Sequence, residues 1–310
     1  MFVSFAPTVG VNKDGDELFV IDPLTGTRTA SIDDKVAEDV AALTSGSDTT
    51  ATSRWIPVGE QSSPITAVPI YFDDRPVKEF EELLQSPELK DFESVTLGEL
   101  IERGDVIAKA GHGSPSADMR TGLVPYIKVS DIRAGQVNIN PTNRVSEIVA
   151  RKFWRGPESG LSAYDLVTPI RTSKNIGDFA VLMPGQERIV LTKEMLVLHA
   201  SEVAEFDNFY LLWAMSLKAV RRQWDRVVFM QTNREDVGQR FNEIRIPIAK
   251  TRDVADMISA PFRNYYIGST KLREDFLSYL TSDGRHHIFM SSAEAVAEDA
   301  EEETGDAFGC

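Results

Sequence analysis

Apolar residues change their period along this chain. Between residues 106 and 200 they come in short β-branched clusters separated by Gly and Pro; from residue 207 they recur every three or four positions. The first regime predicts strands at residues 106–110, 124–132, 166–170, 179–183, 189–191 and 196–199. The stretch 124–132 follows Gly111, Gly113 and Gly122 and ends on the polar pair Ser130 and Asp131; Arg133-Ala134-Gly135 then closes a turn into an alternating segment, 136–140. Strands at this spacing predict a compact, curved or barrel-like sheet.

The second regime opens at Asp207. Phe209, Leu212, Trp213, Leu217, Val220 and Trp224 mark one helix, with both tryptophans as core anchors. Arg221, Arg222 and Arg226 gather at its C-terminal end, where the helix dipole favours cations whatever the function. A strand over 241–248, ended at Pro247, leads to a helix over 251–281 that restarts near Pro261. Upstream, turn signals surround a short strand at 18–21, and Asp33 is placed to cap a helix reaching Ala42. Residues 43–66, rich in Ser, Thr and Gly, read as a linker or long loop, and 76–85 as a short acidic helix. Thr96-Leu97-Gly98-Glu99 has capping-box spacing for a helix over 97–102. The class is α+β: a compact, curved, β-rich domain with flanking helices and a C-terminal helical segment.

Length and composition narrow this further. The 310 residues have room for about two domains. No apolar run is long enough to span a bilayer, so no membrane role is expected. The start has no basic n-region, and the single cysteine, Cys310, allows no intrachain disulfide; a cytoplasmic protein is the expectation.

The net charge of −15 is unevenly spread. Residues 1–100 hold 7 Lys and Arg against 19 Asp and Glu, residues 101–290 hold 26 against 22, and residues 291–310 hold none against 7. A mildly basic middle thus lies between acidic flanks, and partners respond to the local field rather than the total.

Enzyme motifs are missing. Asn140-Pro141-Thr142-Asn143 lacks the second proline and the aromatic with which an amino-methyltransferase holds its target amine. The sequence has no Gly-x-Gly-x-x-Gly and no phosphate-binding Gly-Lys-Ser/Thr loop. The four histidines show no zinc spacing, and Asp14, Asp16 and Glu17 lack the length and terminal Glu of a calcium loop, so no metal is expected. His199 ends an apolar strand and reads as a core histidine, whereas His112 lies in a Gly-Ser loop.

Three stretches combine cations with hydrogen-bonding side chains: Lys128, Ser130 and Arg133; Arg171, Thr172, Ser173, Lys174 and Asn175; and Gln231, Asn233, Arg234, Gln239 and Arg240. Solvated loops often look like this. The same set can also serve DNA, with Lys128, Arg133, Arg171, Lys174 and Arg234 on phosphates and Gln231, Asn233, Gln239 and Arg240 on base edges.

The order of motifs resembles the specificity (S) subunit of type I restriction–modification systems, as one target recognition domain with the helix after it. The residues that carry the resemblance are Leu97-Gly98-Glu99-Leu100, the block Tyr126-Ile127-Lys128-Val129-Ser130-Asp131-Ile132 with Gly135, Asp165-Leu166-Val167 with Ile176-Gly177, the helix at 210–217, and Ile244-Arg245-Ile246-Pro247-Ile248. They span residues 95–281. Residues 9–40 are similar to the C-terminal tail of N6-adenine DNA methyltransferases, where a Gly…Lys-Asp-Gly strand precedes an Asp-Asp helix.

The resemblance implies a methyltransferase-tail-like segment (1–45), a linker with a short acidic helix (46–94), a target recognition domain (95–249), a helical spacer or dimerisation segment (250–282) and an acidic tail (283–310). It implies a non-catalytic subunit that binds double-stranded DNA and positions a separate N6-adenine methyltransferase on a sequence, with room for a restriction or phage-defence effector beside it. S-adenosylmethionine would reside on that partner, with no cofactor on this chain. The family's usual S subunit has two recognition domains and two long helices; here there is one of each, so a homodimer through the C-terminal helix is the simplest route to a full site. The alternative is a protein-interaction scaffold of a defence complex whose degenerate recognition domain no longer reads DNA.

Overall fold

The structure, a computed structural model, describes residues 1–46, 50–57, 68–154, 160–171, 173–231 and 234–282. The acidic tail and part of the expected linker lie outside the described residues. The chain forms two compact units, one of residues 1–78 with 225–227 and one of residues 79–224 with 228–310.

The first unit contains β1 (Phe2–Ser4), β2 (Phe19–Ile21), β3 (Arg28–Ile32), α1 (Lys35–Thr44), β4 (Ser53–Trp55) and the start of α2 (Arg75–Leu84). Asp34 caps α1, accepting the Ala37 N–H at 2.8 Å, one residue later than the sequence pattern indicated. The expected linker contains β4, which pairs antiparallel with β1. Its anchor is Asp39, fully buried, whose carboxylate accepts hydroxyls from Ser4 (2.5 Å), Thr52 (2.9 Å) and Thr50. A buried carboxylate is tolerated only with its lone pairs satisfied, and Thr50 and Thr52 are among the residues that make the stretch look like linker.

The second unit runs β5 (Phe92–Thr96), α3 (Leu97–Arg103), β6 (Val106–Ala110), β7 (Val124–Ile127), β8 (Ile132–Arg133), β9 (Gln136–Val137), β10 (Arg144–Val145), α4 (Glu147–Phe153), β11 (Leu166–Pro169), β12 (Ala180–Val181), β13 (Val190–Leu191), β14 (Met195–Ala200), α5 (Asn208–Ser216), α6 (Lys218–Val227), β15 (Phe229–Gln231), β16 (Arg234–Asp236), β17 (Arg245–Ala249) and α7 (Arg252–Ser282). It is α+β. A six-stranded sheet has the order β6-β14-β11-β12-β9-β8, and a three-stranded sheet the order β10-β7-β13.

Alternation in the smaller sheet builds two cores. Ile127 and Leu191 pack with Val167, Leu182, Met195 and Val197 from the larger sheet, while their neighbours Tyr126 and Val190 pack with Val145 and Ala150 beneath α4. Each such buried aliphatic side chain contributes about 1.5–3 kcal/mol.

Several expectations are corrected. The strand expected over 124–132 ends at Ile127, and a 3-10 turn over Val129–Asp131 follows. The hairpin itself is present: β8 pairs with β9 around Ala134 (φ 51°) and Gly135 (φ 73°), both left-handed as a two-residue hairpin turn requires. The helix expected from Asp207 is two helices, because Leu217 is extended (φ −62°, ψ 129°). The strand expected at 241–248 begins at Arg245, after a 3-10 turn over Gly238–Glu243, and passes through Pro247 to Ala249. Proline is accommodated there because β17 pairs only with β5. Finally, α7 is continuous through Pro261, 31 residues or about 46 Å, rather than restarting. The Pro261 ring is on the exposed side, while Arg263 bonds Asp207 (2.7 and 2.9 Å) and Asp256 (2.9 Å), and Tyr266 stacks on Phe209 at 6.1 Å. Among the described residues no helix is long and apolar enough to cross a membrane.

Candidate nucleic-acid interface

Strand register brings separate loops of the second unit together at one cleft of about 340 Å³. β14 pairs with β6 (Val197 opposite Lys109) and with β11 (Pro169 opposite Met195), so the ends of three strands meet. Ile170 N–H donates to Glu194 O at 2.9 Å, and Val237 N–H donates to Ile170 O at 3.0 Å. These bonds stitch the segment before β14, the loop after β11 and the end of the β15–β16 hairpin into one wall. The cleft is lined by Lys109, Arg171, Lys193, Gln239 and Asn242, with Glu194 and Asp236 as its acids.

Each polar group there has a defined posture. Arg171 pairs with the buried Asp236 and keeps 40% of its side chain exposed. Asp236 also accepts the Gly238 N–H at 2.7 Å, which sets the turn presenting the exposed Gln239. Lys109 Nζ donates to Gly160 O at 2.8 Å. Asn242 lies close to Gly98, where an added Cβ would be 3.0 Å from Asn242 Cβ, and its Oδ1 is buried with no partner among the described residues. Arg240 is drawn away from solvent: its guanidinium lies 3.7 Å from the Phe229 ring centroid and donates to Asp236 O at 2.6 Å.

The other sequence-predicted residues form a second group. Lys128 Nζ donates to Asn143 Oδ1 at 2.6 Å, and Arg133 Nε to Ser130 O at 2.8 Å. Asn175 donates its N–H to Ser173 Oγ at 3.1 Å and its Nδ2 to Ile132 O at 3.1 Å, tying the 173–175 loop to β8. Lys174 on that loop is exposed. Arg171 at the cleft and the 173–175 segment at the hairpin are thus neighbours in the chain. Gln231 and Arg234 face each other across β15 and β16 in backbone register. Their side chains, and Thr172 and Asn233, lie outside the described residues.

Lys109, Lys193 and Asn242 escaped the sequence reading. Lys109 is one lysine in an otherwise apolar strand, Lys193 occupies an ordinary charged turn, and Asn242 lies in a stretch that reads as strand. None carries a local signal, because the register assembles them.

Both singled-out histidines are structural. His112 is buried, and its Nδ1 accepts the Leu191 N–H at 3.0 Å. His199 Nδ1 lies 2.7 Å from the buried Asp165, whose carboxyl is raised above its ordinary value by burial, against the opposing effects of the Ser162 N–H and His199. Among the described residues no group of three or more His, Cys, Asp or Glu is placed to hold a metal.

No family model matches the sequence, and no curated protein matches it. Among solved structures, a type I restriction–modification S subunit from M. genitalium matches at 13% identity and TM-score 0.37, over 62% of this chain and 41% of that one. The chain is similar to solved S subunits. A HsdS subunit from Thermoanaerobacter tengcongensis matches at 14% identity and TM-score 0.36, over 71% of this chain and 48% of that one. A structure addressing complex assembly and conformational transition of the type I R-M system matches at 13% identity and TM-score 0.39, over 73% of this chain and 50% of that one. The chain spans half or less of the length of these structures.

Proposed function

We propose that this chain is a non-catalytic, sequence-specific DNA-recognition subunit that positions a separate N6-adenine methyltransferase on double-stranded DNA. A restriction or other phage-defence effector would be directed to the same site. The observation that carries the reading is the cleft, where Lys109, Arg171 and Lys193 converge with the exposed amide of Gln239. Cations hold phosphates in register, and amides pair bidentately with adenine in the major groove. The sequence resemblance over residues 95–281 supports it. S-adenosylmethionine would sit on the partner, since this sequence carries no motif for it, and a cytoplasmic location belongs to the same reading.

A homodimer would supply the second half-site. On α7, Met257, Tyr265, Leu272, Phe276 and Tyr279 are exposed, with Pro261 and Gly268 between them at steps of four, four and three. An 11-residue repeat of this kind keeps one seam along a helix. It lies away from the face carrying Ser259, Arg263 and Tyr266, which packs on α5.

The scaffold reading is favoured by the first unit. There Ile21, Ile32, Val40 and Trp55 are exposed among many carboxylates, a surface suited to protein rather than DNA. A salt titration of duplex binding separates the two readings. DNA recognition predicts a steep salt dependence. Arg171→Ala with Lys193→Ala should weaken all duplexes alike and flatten the slope by about one to two units. Gln239→Ala should relax choice at one base position, costing about 1–3 kcal/mol there. No duplex binding at low salt would leave the scaffold reading in place.

A further inference from the structure

Outside the cleft, the second unit gathers cations around α4. Ser146 caps this helix by accepting the Val149 N–H at 3.3 Å, and Arg151 and Lys152 occupy its last turn. Arg188, just before β13, reaches the same place. A single carboxylate oxygen of Glu147 serves two guanidinium groups, Arg188 at 2.7 Å and Arg151 at 3.2 Å. Glu147 is held below the usual carboxylate range: burial alone would raise it, and the two arginines outweigh that effect.

One acid orients two arginines without neutralising both, and Lys152 adds a third charge. Arg151 and Arg188 keep 73% and 66% of their side chains exposed, so their remaining N–H donors face solvent. Arg188 lies 6.0 Å from the Trp154 ring centroid, and Trp154 Nε1 donates to Ile189 O at 2.9 Å, which fixes the ring. The next acid, Glu187, is turned toward its own loop, accepting the Gly185 N–H at 2.8 Å. Ile148, 72% exposed, shares the helix face with Arg151 and Lys152.

We propose that Arg151, Lys152 and Arg188 form a second phosphate-binding surface for duplex DNA, distinct from the base-reading cleft. The spacing supports a single continuous ligand. Arg188 and Lys193 are five positions apart in the chain, a backbone reach of at most about 17 Å. That corresponds to about five base-pair steps of a duplex, so one DNA segment leaving the cleft meets the patch within half a helical turn. Placed on phosphates, three cations contribute affinity and register but not sequence choice.

This inference rests on the duplex-DNA reading, and the experiment separates their failures. The full chain and its Arg151→Gln/Lys152→Gln/Arg188→Gln variant are titrated with a library of random-sequence duplexes across 50 to 200 mM salt. Bound sequences are counted. Removing three phosphate contacts should flatten the log–log salt slope by about two to three units. Over that range the wild-type affinity should then fall about 16- to 64-fold more than the variant's, with the ranking of sequences unchanged. Lys152→Gln alone, which leaves the Glu147 contacts intact, should flatten the slope by about one unit. An unchanged slope in a variant that melts like the wild type overturns the patch while leaving the cleft reading intact. A changed sequence ranking also overturns it, since the patch would then read bases. Absence of any duplex binding by the wild type overturns both readings.

Discussion

Replacing Tyr210 by Phe removes one oxygen atom at the junction of three elements. The Tyr210 ring is fully buried on α5, and burial raises its hydroxyl far above the ordinary tyrosine value. The hydroxyl donates to Pro247 O at 2.9 Å and accepts the Ala249 N–H at 2.8 Å, so it holds α5 against the end of β17 just before α7 begins. Two hydrogen bonds at about 0.5–1.5 kcal/mol each are lost, and a buried N–H left without a partner adds about 1–3 kcal/mol, partly overlapping. The expected destabilisation is about 2–4 kcal/mol. For a urea slope near 3 kcal/mol per molar, the midpoint should fall by about 1 M. Three of the four tryptophans, Trp154, Trp213 and Trp224, lie in the second unit, and Trp213 is 5.2 Å from the Tyr210 ring, so intrinsic fluorescence reports its unfolding. A midpoint shift below about 0.2 M with an unchanged slope would refute the argument, because the two backbone groups would then have found other partners.

Two further outcomes are expected. The Asp39 carboxyl is held below its ordinary value because hydroxyl donors from Ser4, Thr50, Thr52 and Ser53 outweigh the burial that would raise it. A depressed folded value means stability that is present above the unfolded value and lost as pH falls through the folded one. The first unit of the wild type should therefore loosen as pH drops below about 4, while Asp39→Asn should be weaker at pH 7 by about 1–3 kcal/mol and show less acid dependence, read by amide hydrogen exchange over residues 1–46. On α7, Leu272→Asp with Phe276→Asp should keep the chain monomeric in sedimentation at concentrations where the wild type pairs; an unchanged oligomeric state would remove the helix from the interface.

Legibility in the sequence followed the range of the interactions. The capping box Thr96–Glu99 and the strand at Val106–Ala110 depend on neighbours a few residues away, and both appear where the pattern placed them. Helix α4 is absent from the sequence reading although Ser146 and the cations at Arg151 and Lys152 are ordinary start and stop signals; its seven residues are too few to set a helical period among the short strands around it. The break at Leu217 had no local cue, because an apolar residue there fits the helical period as well as the junction. Pro261 gave a cue that misled: its position on the solvent side lets α7 continue. At the interface, residue type showed which side chains can bind phosphate, but not which are already occupied. Arg171 is matched by Asp236, 65 residues later, and Arg240 by the Phe229 ring, pairings that exist only once the sheet has formed.

The pairing of β5 with β17 has an architectural consequence. Thr96 lies opposite Arg245, and Leu97 N–H donates to Ile244 O at 2.8 Å, so the chain leaves and re-enters at one point. Residues 97–244 are a closed excursion from a two-strand base. An insert of different length and surface, with ends equally close, could be grafted onto that base provided it keeps α5, whose Asp207 and Phe209 hold α7, since closing a longer loop costs only about 0.6 kcal/mol per doubling. The base is thus a socket, and α5 is the part of the plug that also grips what the socket is attached to.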